Sequence, residues 1–194
     1  MSHSGRQSQP QTGDVAAWRT EQRLDLRTLF DTYYGSIWRL LRRLGVPAPQ
    51  VDDATQEVFW VAARRLSEVR PGSEHPFLYG VALRVAANER RRLASQAQVC
   101  GLDQTAELSS ADPSPEDALS QRQVRGLLDL LLAQMDEGLR TVFVLAELEH
   151  LELKQIAELE QIPLGTASSR LRRAREEFSV LARRLRARTK GRHE

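Results

Sequence analysis

Nowhere in this 194-residue sequence do apolar and polar residues alternate with the period of two that a β-strand needs; they recur at three and four instead. From Leu24 to Leu44 the apolar positions are Leu26, Leu29, Phe30, Tyr33, Ile37, Trp38, Leu40, Leu41 and Leu44, and Gly45, Pro47 and Pro49 then stop the helix. A second helix is expected over Val51–Leu66, with Val51, Thr55, Val58, Phe59 and Ala62 inward. Arg70-Pro71-Gly72-Ser73 breaks it, and a third follows over His75–Ala94. The stretch Ser95–Glu116 (containing SSADPSPED) has no apolar stripe and is long for a loop within one compact domain, so it reads as a linker. A second helical block then runs from Asp117 to Arg188, with Leu127, Leu128, Leu131, Leu132 and Met135 on one helix and a further apolar stretch over Leu139–Leu148. The expectation is an all-α chain of two small helical domains, 24–94 and 117–188, joined by a flexible acidic linker at 95–116. Residues 1–23 form a leader expected to be disordered, and 189–194 a basic tail.

Several function classes are excluded by what the chain lacks. Its single cysteine, Cys100, cannot form an internal disulfide, and His3, His75, His150 and His193 show no ligand spacing, so neither a metal site nor a cofactor is expected. No phosphate loop or nucleophile arrangement appears, which argues against an enzyme. The opening MSHSGRQSQPQTGD lacks the apolar core of a secretory signal, and no apolar run approaches a membrane span, so a cytoplasmic location is expected. The net charge of +2 hides a strong asymmetry. Between Ser95 and Ser120 the acids Asp103, Glu107, Asp112, Glu116 and Asp117 meet no basic residue, whereas Ile162–Glu194 carries ten Lys or Arg against three acids. A basic end suits nucleic acid; an acidic middle suits a cationic partner or imitates a polyanion.

The basic end contains the most specific local pattern. Leu151–Arg175 (LELKQIAELEQIPLGTASSRLRRAR) reads as helix, tight turn, helix. Ile156, Ala157 and Leu159 give the first helix its buried stripe, Pro163 and Gly165 make the turn, and Thr166 is placed to cap the second helix. Ala167, Leu171 and Ala174 then face inward, with Ser168, Ser169, Arg172 and Arg173 outward and Arg170 and Arg175 at the flanks. Small hydroxyls followed by arginines at the positive end of a helix suit entry into a DNA major groove, where arginine can read guanine with two hydrogen bonds.

This segment resembles the promoter −35 reading helix of sigma-70 superfamily factors of the extracytoplasmic-function group, whose usual form is I-P-x-G-T-V-x-S-R-L-x-R-A-R. The resemblance implies base contacts from Ser168, Ser169, Arg172 and Arg173, and phosphate contacts from Thr166, Arg170 and Arg175. Glu152 replaces the usual Ser at the start of the first helix and Gln161 a common Gly at its end, departures expected to weaken caps rather than contacts.

Upstream, Val51-Asp52-Asp53-Ala54-Thr55-Gln56-Glu57-Val58-Phe59 puts Asp53, Gln56, Glu57 and Trp60 on one outer helix face. It is similar to the D-D-x-x-Q-E-V-F helix with which such factors grip the clamp helices of the polymerase largest subunit. That implies docking roles for Asp52, Asp53, Gln56, Glu57 and Trp60. The third helix, with Phe77, Tyr79, Arg84, Asn88, Arg90, Arg91 and Arg92, resembles the segment that captures the opened −10 strand, a task needing aromatic surface and backbone cations. Here Phe77 stands where Trp is usual and Arg84 where Asn is usual; Phe77, Val81 and Val85 also fit a plain core stripe. The acidic linker would then either thread the polymerase's positive channel or serve as a solvated tether. The resemblance spans Leu26–Leu181 and implies a transcription initiation factor whose partners are core RNA polymerase and promoter DNA, duplex at −35 and single-stranded at −10, with an anti-sigma protein as a further candidate. An ordinary helix-turn-helix regulator would share the C-terminal segment but leave the Asp53–Gln56–Glu57 face without a use.

Overall fold

The computed structural model describes residues 25–70, 72–100 and 116–190, and within them every regular element is helical. In chain order these are α1 (Leu26–Arg43), α2 (Ala48–Arg64), a 3-10 turn (Leu66–Glu68), α3 (Glu74–Cys100), α4 (Glu116–Ala133), α5 (Glu137–Phe143), a π turn (Val144–Leu148), α6 (Leu153–Glu160) and α7 (Leu164–Lys190). The expected leader, residues 101–115 of the linker, and the chain after Lys190 lie outside the described residues.

Each boundary has a local cause. Asp25 caps α1, its carboxylate accepting from the Thr28 N–H at 3.4 Å. Gly45 ends it: at φ +93° its N–H donates to the Arg42 carbonyl, and the Val46 N–H reaches back to Leu41, both at 3.0 Å. The prolines that follow do not keep the chain out of a helix until Val51, as the sequence suggests. Pro47 precedes α2 and Pro49 lies in its first turn, where a missing N–H has no intrahelical partner to lose. α3 likewise overruns its expected end at Ala94 and continues to Cys100, so the first residues of the expected linker are helical. Ala94, Gln96, Ala97 and Gln98 are good helix formers, and Gly101 follows.

Helices α1–α3 pack around Ile37, Leu40, Leu41, Val51, Val58, Ala62, Leu78, Ala82 and Ala86, all buried. Thr55 is buried among them and satisfied, its hydroxyl donating to the Val51 carbonyl at 2.7 Å. Helices α4–α7 enclose Leu132, Leu145, Ile156, Ala167, Leu171 and Ala174, with the Phe143 ring stacked on Phe178 at 4.6 Å. Each fully buried aliphatic side chain stabilises by about 1.5–3 kcal/mol. The two sets of helices do not stand apart. One continuous buried cluster runs through both, and a charged seam closes over it.

Candidate nucleic-acid and protein interfaces

In the helix-turn-helix, Ile156 and Ala157 on α6 and Ala167, Leu171 and Ala174 on α7 are buried, the stripe the spacing calls for, while Leu159 is half-buried against Gly80 of α3. The Gln155 carboxamide accepts from the Glu152 N–H at 3.0 Å, so a reciprocal side-chain contact supports the α6 start despite the missing Ser. At the other end Gln161 takes the left-handed conformation at φ +55°, the position where glycine is easiest. Thr166 is not the cap of α7. The helix begins two residues earlier, and the Pro163 carbonyl accepts from the N–H groups of Thr166 and Ala167 at 2.9 and 3.0 Å. Leu164 and Gly165 fit a first turn, which moves Thr166 into the helix body.

The outward face of α7 carries Ser168, Ser169, Arg172 and Arg173, all exposed. The Ser169 hydroxyl donates back to the Thr166 carbonyl at 3.0 Å, leaving its oxygen able to accept. Arg172 pairs with Glu176 one turn on, at 2.7 Å between exposed groups. Arg175 donates from Nε and Nη2 to one oxygen of Glu147 in the π turn, at 2.8 and 2.6 Å. Arg170 is half-buried near Gly138 at the start of α5, and its charge partly offsets the burial that raises the Glu160 carboxyl above its ordinary range. Arg175 is thus already oriented by an acid of the same half.

On α2, Asp53, Gln56 and Glu57 are exposed, and Trp60 is 57% exposed with the Arg64 guanidinium 3.5 Å above its ring. Asp52 has a different job from its neighbours. Its Oδ1 accepts from Trp38 Nε1 at 2.8 Å and from the Tyr34 hydroxyl at 3.4 Å, tying α2 to α1. Burial first, then the Asp52 charge and hydrogen bond, raise the Tyr34 hydroxyl.

On α3 the residues expected for strand capture divide. Arg84, Asn88, Arg91 and Arg92 are exposed; Arg91 donates to Asn88 Oδ1 at 2.7 Å and Arg92 pairs with Glu89 at 2.7 Å. Phe77 is half-buried, with the Arg65 guanidinium 5.8 Å from its ring centre. Tyr79 offers no aromatic surface in this arrangement, being only 1% exposed. The buried stripe of α3 is Leu78, Tyr79, Ala82, Val85 and Ala86, so helical phase turns Tyr79 inward against the His75 ring at 4.0 Å. Its hydroxyl donates to Glu149 of the other half; burial first, then that carboxylate, push the hydroxyl far above its usual range.

Glu149 belongs to a feature with no signal in the sequence: a set of ion pairs across the seam. Arg43 Nη1 meets Glu149 Oε1 at 2.7 Å, Arg42 meets Asp129 at 3.8 Å, and Arg90 meets Glu137. Among the described residues no helix is long and apolar enough to cross a membrane, and no cluster of His, Cys, Asp and Glu could hold a metal ion.

Comparison with known proteins adds the following. Residues 125–178 match the family model described as sigma-70, region 4. An RNA polymerase sigma-H factor of Pseudomonas aeruginosa is 33% identical over 154 residues, covering 74% of this chain and 79% of its own length. The ECF RNA polymerase sigma-E factor of Escherichia coli K12 is 30% identical over 139 residues, covering 68% and 73%. Among solved structures, the sigma factor RpoE of Bartonella quintana, in co-crystals with the anti-sigma factor NepR, matches with a TM-score of 0.65 at 16% identity, covering 87% of this chain and 98% of that one.

Proposed function

Since the chain belongs to the RNA polymerase sigma factors of the sigma-70 superfamily, in their extracytoplasmic-function group, we propose that it binds core RNA polymerase and directs it to promoters with the following division of labour. Residues 24–94 act as the polymerase-docking and −10 module, 117–188 as the −35 module, and 95–116 as the acidic connection between them. Asp53, Gln56, Glu57 and Trp60 meet the polymerase, while Asp52 holds the docking helix against α1. Ser168, Ser169, Arg172 and Arg173 read duplex bases, with Thr166, Arg170 and Arg175 on phosphates. Arg84, Asn88, Arg91 and Arg92, with Phe77, hold the opened strand. The protein is a regulatory factor working in the cytoplasm, and catalysis stays in the polymerase. RpoE of Bartonella quintana was solved with an anti-sigma factor, which makes such a protein a candidate partner here as well.

One observation carries this reading: a single chain exposes two helix faces of opposite character, acid–amide–aromatic on α2 and hydroxyl–arginine on α7. The first suits a basic protein groove and the second a phosphate-lined groove. The test is gel filtration of the full chain with bacterial core polymerase, wild type against Asp53→Arg/Glu57→Arg. Co-elution of wild type and not the double variant is expected. Wild type that ignores core yet binds duplex DNA alone as a dimer would replace this reading with that of an ordinary regulator.

A further inference from the structure

α7 outlasts the segment that the family model covers. The match to sigma-70 region 4 ends at residue 178, whereas the helix continues to Lys190. At 27 residues it is about 40 Å long. Its far end is anchored on one side: Phe178 stacks on Phe143 at 4.6 Å, and Leu181 packs against the buried cluster. The other side, with Ser179, Arg183, Arg184 and Arg186, is exposed.

The arginines of this end repeat those of the reading end. Arg172, Arg173 and Arg175 have the spacing R-R-x-R, and Arg183, Arg184 and Arg186 have it again eleven residues later. Eleven residues of α-helix make three turns and about 20° more, so each arginine stands nearly in line with its predecessor, about 16 Å further along the axis. The two sets differ in how they are neutralised. Arg172 is paired with Glu176 and Arg175 with Glu147. Arg183 and Arg184 have no acidic partner among the described residues. From Phe178 to Lys190 the sequence contains no Asp or Glu, while Arg188 and Lys190 add further positive charge. Like charges in a row repel one another, and an extended polyanion relieves that repulsion.

Spacing selects the polyanion. The major groove of DNA is about 12 Å wide. With Arg172 and Arg173 at base edges, a set about 16 Å further along the same face has passed the groove floor and meets the phosphates of its rim. A lipid surface fits poorly, because a helix lying on lipid needs a free apolar stripe beside its charges. Here that stripe, Phe178 and Leu181, is already packed against the protein.

We propose that Arg183 and Arg184, with Arg186 beside them, form a second, sequence-independent DNA contact, a clasp on the phosphate backbone at the rim of the groove whose bases the other end of α7 reads. The inference rests on the proposed function for the placement of α7 on DNA, and extends it to a part of the helix outside the family match. The clasp supplies affinity and orientation and carries no base preference.

The test is fluorescence-anisotropy titration of the full chain with a long labelled duplex of arbitrary sequence at several salt concentrations. Arg183→Gln/Arg184→Gln is expected to flatten the dependence of log affinity on log salt by about 2, since each phosphate contact contributes about 0.9. Arg183→Lys/Arg184→Lys restores most of that slope, because a phosphate accepts a point charge as well. Equal helicity by circular dichroism, together with that rescue, separates lost contact from failure to fold. The same charge removed elsewhere, by Arg27→Gln/Arg39→Gln at exposed positions of α1, changes the slope less than half as much. On duplexes that differ in one −35 base pair, the Gln variant keeps the wild-type order of preference. A slope in the Gln variant equal to that of wild type or of the α1 control overturns the clasp, and so does a change in base preference. A loss confined to core polymerase binding, with DNA binding unchanged, assigns the patch to an acidic protein surface and overturns it as well. Wild type that binds duplex with no base preference overturns the −35 reading, and the slope comparison still decides the clasp.

Discussion

The guanidinium of Arg140 lies over Gly45, so close that a Cβ on that glycine would collide with Nη1 and sit 3.1 Å from Cζ. Gly45 is thus bound twice to its identity, by its φ of +93° and by a side chain from the opposite half. Gly45→Ala should cost about 1–3 kcal/mol, the usual range for a non-glycine residue forced into a strained backbone region. Urea denaturation checks the cost.

Gln161 points the other way. It caps α6 in the left-handed conformation, which costs an ordinary L-residue roughly 1–2 kcal/mol. Gln161→Gly should therefore stabilise the protein by about 0.5–1 kcal/mol after glycine's own entropy is counted. The readout is thermal unfolding, and a lower melting temperature would show that the side chain contributes more than its backbone strain costs.

Trp60 and Asp52 should behave as opposites. Trp60 is largely exposed, so Trp60→Ala should leave stability nearly unchanged while weakening polymerase binding by about 2 kcal/mol or more, as truncating an aromatic anchor does. Asp52→Ala removes the acceptor of Trp38 and Tyr34 and should cost about 0.5–1.5 kcal/mol of stability, since both bonds are exposed to water. Melting temperature and core-binding affinity, measured side by side, separate the two roles.

The arginines of α7 divide by what they should touch. Arg172→Ala or Arg173→Ala should cost about 1–3 kcal/mol at the cognate −35 sequence and relax base preference there. Arg175→Ala should weaken all sequences alike and reduce the salt slope by about 1. Glu147→Gln, which loosens Arg175 without removing it, should leave base preference intact. Titrations of −35 duplex variants at several salt concentrations resolve these patterns.

Glu160 gives a pH dependence. Burial raises its pKa, against the lowering pull of Arg170 and Arg90 and with Glu137 adding to the rise. A carboxyl whose folded pKa lies above its unfolded one contributes stability that is complete below the unfolded pKa and lost as pH rises through the folded one. Glu160→Gln should therefore raise the melting temperature at pH 7, and the gain should vanish below the ordinary carboxylate range.

Much of this fold was legible because its signals are local. The stripe Val51, Thr55, Val58, Phe59, Ala62 and the stripe Ile156, Ala157, Ala167, Leu171, Ala174 follow from helical spacing alone, and both are buried. The exposed α2 and α7 faces follow from the same phase. Pro49 misled because proline disrupts a helix interior but not its first turn. Tyr79 misled because an aromatic with a hydroxyl suits a wet surface and a buried hydrogen bond equally well, and only the partner decides. That partner, Glu149, is 70 residues away, and Arg43 lies 106 residues from it. No period or motif encodes pairs at such separations. The π turn is equally silent, since Val144–Leu148 reads as ordinary apolar helix.

The continuity of the buried cluster across the seam has a thermal consequence. Parting the halves hydrates apolar surface and so raises the heat capacity. The apolar share of the join weakens on cooling. Because the cluster is shared, neither half can lose its packing without exposing the other, so the two should melt in one cooperative transition rather than in two.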